Sequence, residues 1–124
     1  MPVIDAREVP GHDVGGTRFF PLAAPSTGST EISVWRVEIP PGDDPVPHEL
    51  TREEVIVILS GTAHASIAGR TAVAGPGCAI IVPPDTPFSL TAAGGEAVTA
   101  LAYLPVGGQA RLPGQQPFTP PWAE

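Results

Sequence analysis

Apolar and polar residues alternate along this chain over short stretches that break at glycine and proline. In EISVWRVEI, residues 31–39, Trp35, Val37 and Ile39 share one face, while Ile32, Val34, Arg36 and Glu38 share the other. That period of two is the pattern of a strand. PPGDDPVP follows and forces a turn, because proline fixes φ and has no amide to give a central ladder. Val55–Leu59 reads as a buried strand stopped by Ser60 and Gly61. Thr62–Ala68 is expected to return as its partner, with Ala63, Ala65 and Ile67 on one face and His64 and Ser66 on the other. Beyond the Gly69-Arg70 turn, further strands are expected over Thr71–Ala74, Ala79–Val82, Phe88–Thr91 and Val98–Leu104.

Residues 1–30 read as short strands and loops: VID, then RFFPL, then a flexible APSTGST. No segment keeps a long 3.6-residue period. The expected fold is all-β, a sandwich or small barrel in one domain. Residues 1–30 lead in, 31–104 form the barrel core, and 105–124 form a Pro/Gly-rich tail. The tail carries Leu112, Phe118 and Trp122, which a pure linker would not need. It is expected to lie across the barrel or a partner subunit.

Composition narrows the function classes. There are 14 glycines and 17 prolines among 124 residues, a level that borders on disorder, but they punctuate apolar runs instead of replacing them. Net charge is −7 and no lysine is present, which excludes lysine Schiff-base chemistry. No basic stripe exists to hold nucleic acid. The longest run of large apolar residues, five, is far short of a membrane span. The N-terminal MPVIDAREVPGHD has no signal-type apolar core, and the single Cys78 has no partner for an internal disulfide. A cytoplasmic protein is expected. No GxSxG, P-loop or GxGxxG is present.

Two stretches resemble the motifs of the cupin family. The first has the form G-x5-H-x-H-x3–4-E-x6-G. Here Gly42 is followed by five residues, His48, Glu49, Leu50, three residues, Glu54, six residues and Gly61. The second reads Gly77, Cys78, AIIV, Pro83, PDTP and Phe88, with Cys78 where an aspartate and Phe88 where a histidine is usual. The resemblance covers about residues 31–104. It implies a single-domain jelly-roll barrel (a double-stranded β-helix) and a homodimer. The family includes dioxygenases, isomerases, epimerases, lyases, cyclases and non-catalytic binding or sensor domains, so fold alone does little to choose among them.

In metal-dependent cupins two further histidines join a His and a Glu around Fe, Mn, Ni or Zn. Carried over residue by residue, the resemblance implies His48 and Glu54 as ligands, with Leu50 and Phe88 unable to coordinate. Two protein donors are fewer than a catalytic metal site usually holds. No metal cofactor is expected; a divalent transition metal on His48 and Glu54 is the alternative. His64 sits too near the hairpin turn to substitute, and Glu53 should face away from Glu54.

Without metal, His48 and Glu54 are the candidate catalytic residues. If both point into one apolar cavity, the carboxyl pKa should rise and the nearby imidazole should share a proton with it. Such a pair can serve as general base and acid; its bland counterpart is a relic hydrogen bond. Leu50, Phe88, Trp35, Ile56 and Arg36 are the candidate substrate-binding residues, and the apolar ones read equally well as plain core. For Arg36 an exposed position is favoured over a barrel-interior one. Cys78 reads as a small packing residue, and His12 and His64 as ordinary histidines. The function expected is isomerase, cyclase or lyase chemistry on a small apolar molecule. A non-catalytic binding or sensing module is the first rival, and a metal-dependent oxygenase with an unusual ligand set the second.

Overall fold

The computed structural model describes residues 2–42 and 44–124. Its strands are β1 His12–Val14, β2 Thr17–Ala23, β3 Ile32–Ile39, β4 Glu49–Leu50, β5 Glu54–Ser60, β6 Ala63–Ile67, β7 Arg70–Ala74, β8 Ala79–Val82, β9 Phe88–Ala92, β10 Val98–Pro105 and β11 Ala110–Arg111. Helical structure among the described residues is confined to three short 3-10 turns, Ala6–Glu8, Pro25–Thr27 and Pro121–Ala123. No helix among them is long and apolar enough to cross a membrane.

Six strands form one antiparallel sheet in the order β1-β2-β3-β10-β5-β8, three form a second in the order β7-β6-β9, and β4 pairs with β11. Inner-face residues from all three sheets meet in a single apolar cluster. This is a jelly-roll barrel, as the alternating strands predict. Size complementarity knits the large sheet: on the inner face of β10, Ala102 lies between Trp35 and Ile56, and Ala100 between Val37 and Ile58. Small residues on the central strand leave room for large ones on its neighbours, so the interior packs without lifting the strands apart. Gly61 ends β5 for a steric reason. A Cβ there would lie 2.3 Å from the Ala97 carbonyl oxygen, and its φ is +77°, a region open mainly to glycine.

Several local expectations change. β6 does not pair with β5: the chain crosses at Gly61 into the second sheet, where β6 lies between β7 and β9, while β5 pairs with β10 and β8. VID forms no strand; Asp5 instead caps the Ala6–Glu8 turn, accepting the Arg7 amide at 2.9 Å. RFFPL does lie in β2, but Pro21 lacks an amide and the register with β3 shifts between Pro21 and Ala23. APSTGST contains an ordered turn in which Thr27 Oγ1 accepts the Ala24 amide at 3.0 Å. Cys78 is exposed and does not pack as the sequence suggested. It sits outside the alternation of β8, which begins one residue later.

The tail lies across its own barrel. Trp122 stacks on Phe19 with ring centroids 3.9 Å apart and planes at 6°. Ala110 and Phe118 exchange both main-chain hydrogen bonds at 2.8 Å, and β11 adds to β4. Truncation after Leu104 should therefore strip a stacked indole and a strand from the fold. The expected loss is about 3–5 kcal/mol, the usual range for removing a large buried side chain, and hence a fall of about 10 °C or more in Tm. Calorimetry checks this; an unchanged melt would make the tail a linker.

Candidate functional site

His48 is placed by an isolated bridge to Phe88, at the entrance to β9. Each amide donates to the other's carbonyl at 2.9 Å, so the two side chains share a face. Their rings meet at 4.3 Å, tilted by 47°. Two residues on, Leu50 points into the core at 4 % exposure. Its carbonyl accepts the Asp85 amide at 2.7 Å, with Asp85 held at φ +54°. Glu54 opens β5, opposite Val82 on β8, on the inner face that it shares with Ile56 and Ile58. The motif spacing thus puts a buried carboxyl at the head of the strand that follows the histidine loop.

Glu54 is only 5 % exposed. Burial alone pushes its pKa up to about 8, with no cation and no hydrogen bond to offset the loss of water. It is a neutral acid at pH 7. Burial also lowers the pKa of His48, outweighing a hydrogen bond to the Val46 carbonyl at 3.1 Å. A carbonyl can only accept, so in neutral His48 the proton sits on Nδ1 and the lone pair on Nε2. Both environments leave a proton donor and a proton acceptor at neutral pH. The structure does not join them as the sequence suggested: His48 bonds to Val46, and neither group perturbs the other. A proton passing between them would have to travel through a third molecule.

A recess of about 250 Å³ opens beside His48. Its walls are Pro47, His48, Glu49, Pro87, Arg111 and the stretch Leu112 to Gly114. Arg111 reaches back from β11 to the Glu49 carboxylate at 2.6 and 3.1 Å and to Asp85 at 3.4 Å. These pairs raise its pKa and pin the tail over the histidine loop. The tail's contribution has no counterpart in either motif; its only signal in the sequence is apolar residues where a linker would be polar.

The expected single cavity is divided. Glu54, Leu50, Phe88, Trp35 and Ile56 are all buried and lie outside the recess wall, and the four apolar residues belong to the core cluster. His48 and Pro87 line the recess, whereas Phe88 is buried and absent from its wall. Arg36 stands apart from the other candidates, on the outer face of β3. It is ion-paired with Glu38 and lies over the Phe20 ring at 5.2 Å. That follows from strand alternation, since its neighbours Trp35 and Val37 point inward.

A metal does not fit these residues. Among those described, no group of three or more His, Cys, Asp or Glu side chains could hold an ion, whereas catalytic sites usually present three protein ligands. Glu49 is engaged by Arg111, and Glu53, His64 and Cys78 are exposed. Installing the missing donors tests the placement. Leu50→His with Phe88→His should bring bound transition metal from well under one equivalent per chain to about one, by elemental analysis after growth in zinc-supplemented medium. A double variant with native circular dichroism but no metal would show that the four positions do not converge.

A single-domain jelly-roll barrel, with a histidine at its rim and a buried glutamate inside, defines the class. The family model for the cupin domain matches residues 35–103, and the chain belongs to that family. The fold is similar to that of the polyketide cyclase RemF from Streptomyces resistomycificus, with a TM-score of 0.81 and 23 % identity over 94 % of this chain and 87 % of that one. It is also similar to an RmlC-like cupin from Shewanella frigidimarina, with a TM-score of 0.72 and 15 % identity over 83 % and 88 % of the two chains. KdgF from Halomonas sp. gives a TM-score of 0.70 and 19 % identity over 85 % and 94 %. No curated protein matches the sequence.

Proposed function

We propose that this chain acts on a small, largely apolar organic molecule by metal-independent proton transfer: an isomerisation, cyclisation or elimination. One observation carries the reading. Glu54 is a carboxylic acid kept neutral to about pH 8 by burial, in the same barrel as a histidine whose free Nε2 is a base. A carboxyl so placed is destabilising to the folded chain, as sites of function tend to be. In this reading a substrate enters at the recess, where proline rings and Leu112 offer apolar walls and His48 meets it first. His48 Nε2 takes a proton from an acidic C–H, and a substrate that reaches inward past Leu50 and Phe88 receives one from Glu54 at the developing anion or leaving group. Leu50 and Phe88 keep water from the interior. Resemblance to a polyketide cyclase agrees with such chemistry but does not select it.

The rival is a non-catalytic binding module. It is favoured by the absence of Glu54 from the recess wall: a ligand confined to the recess would touch His48 alone. A panel of small compounds with acidic C–H bonds separates the two. The wild type should accelerate elimination or enolisation of at least one, and Glu54→Gln should not. Tight binding without turnover by both proteins would leave the binding module.

A further inference from the structure

The recess beside His48 is lopsided in charge and in hydrogen-bonding groups. Of the residues on its wall, Arg111 alone is a permanent cation, and its guanidinium is already spent. Nε and Nη2 both donate to Glu49 Oε2, and Nη2 also reaches Asp85 Oδ1. One positive charge thus faces two carboxylates. His48 does not restore the balance, because burial favours its neutral form. The open polar atoms are mostly acceptors. Both bonds to Glu49 among the described residues end on Oε2, which leaves Oε1 open. His48 offers the lone pair of Nε2, since Nδ1 is engaged by Val46. Pro47, Pro87 and Pro113 have no amide to donate.

We infer that this recess selects a ligand that brings a hydrogen-bond donor and no negative charge: a protonated amine, an alcohol or a phenol on an apolar skeleton. Glu49 is the residue that sets this specificity. Selection of this kind rests on the proposed function only in taking the recess as the substrate's entrance. The ligand's donor meets Glu49 Oε1. Its apolar part lies against the proline rings and Leu112, with its acidic C–H toward His48 Nε2. A carboxylate or phosphate finds no guanidinium free to take it in the two-pronged way that arginine offers such groups. To reach Arg111 it must displace Glu49 or Asp85, which leaves one anion unpaired in a partly buried recess. The field of the whole chain, at net −7, adds to that repulsion and draws cations in.

Three probes with one skeleton test this: benzylamine, benzyl alcohol and benzoate, titrated at about pH 7.5 and low salt while the His48 ring resonances are followed by NMR. Benzylammonium should bind at least tenfold more tightly than benzoate, with benzyl alcohol between them. The gap should shrink in about 0.5 M salt, where the screening length falls to about 4 Å. Glu49→Gln keeps the size of the side chain, removes its charge and releases Arg111. It should reduce the preference for the amine over the acid at least tenfold. Glu96→Gln makes the same change in net charge on the exposed turn before β10 and should leave the preference unchanged. If Glu49→Gln does not fold, Asp85→Asn should cut the preference at least threefold, since asparagine tolerates the positive φ found there. Benzoate bound as tightly as benzylammonium would overturn the inference. So would a preference that the folded recess variants leave intact, or His48 resonances that no probe moves. The chemistry is judged separately: the expected order of binding, with no turnover of any compound, would keep this selectivity and remove the proton-transfer reading.

Discussion

Between pH 5 and pH 9, Glu54→Gln should gain several kcal/mol of stability relative to the wild type. The folded chain holds the Glu54 proton to about pH 8, whereas an unfolded glutamate releases it near 4.5. Between those limits the folded state binds one more proton than the unfolded state, so stability falls as pH rises, by about 1.4 kcal/mol per pH unit. The full effect is present below 4.5, is lost through about 8, and amounts to roughly 5 kcal/mol over the window. Glutamine fills nearly the same space and does not titrate. Its own unmet amide shifts the whole curve but not its slope. His48 acts in the opposite sense: its folded pKa is depressed, so its contribution is complete above 6.5 and is lost as pH falls below that. Urea midpoints at pH 5, 7 and 9 for the wild type, Glu54→Gln and His48→Gln separate the two. Parallel curves for the wild type and Glu54→Gln would mean that Glu54 is hydrated or paired in solution.

Turnover should respond more sharply. On any compound the wild type converts, Glu54→Gln and His48→Gln should each lower kcat by about 10²–10⁴-fold, the usual worth of a positioned acid or base. Binding should change little, since neither replacement alters the apolar walls. The double variant should lose scarcely more than either single one, because the two residues serve opposite ends of one proton transfer. The pH profile has a defined shape. Activity should fall on the alkaline side near pH 8, as Glu54 loses the proton it must donate, and on the acid side below 6.5, as Nε2 of His48 becomes occupied. Glu54→Gln should lose the alkaline limb. A wild-type profile flat from pH 6 to 9 would remove Glu54 from the chemistry as its acid.

The barrel is legible in the sequence because its cause is local. EISVWRVEI alternates with a period of two, and a strand with one buried face cannot slip by a residue without exposing Trp35, Val37 and Ile39 together. The same regularity turns Arg36 outward, between two neighbours that face the core. Glycine and proline mark the turns, and the two motifs place His48, Leu50, Glu54 and Phe88 near the same end of the barrel. What misleads is also local. VID has strand-like residues but no neighbour to pair with, and Cys78 looks like packing because β8 begins only one residue later.

The amino-acid sequence by itself determined the fold class, the strands with their inward faces and the chemical identity of the groups at the site, since these follow from alternation, turn residues and spacing within a short stretch of chain. It did not determine pairing, for β6, expected as the partner of β5, lies in the other sheet between β7 and β9. Only the tertiary structure decided how those groups are used. That Nδ1 of His48 is engaged by Val46, that Glu54 is buried and absent from the recess wall that His48 lines, and that Arg111 brings the tail back to wall the recess are all long-range or through-space facts. The reason is physical. Periodicity reports which face a side chain takes, but a pKa depends on how much water every neighbouring element removes, and a pocket on which distant segment returns to cover it.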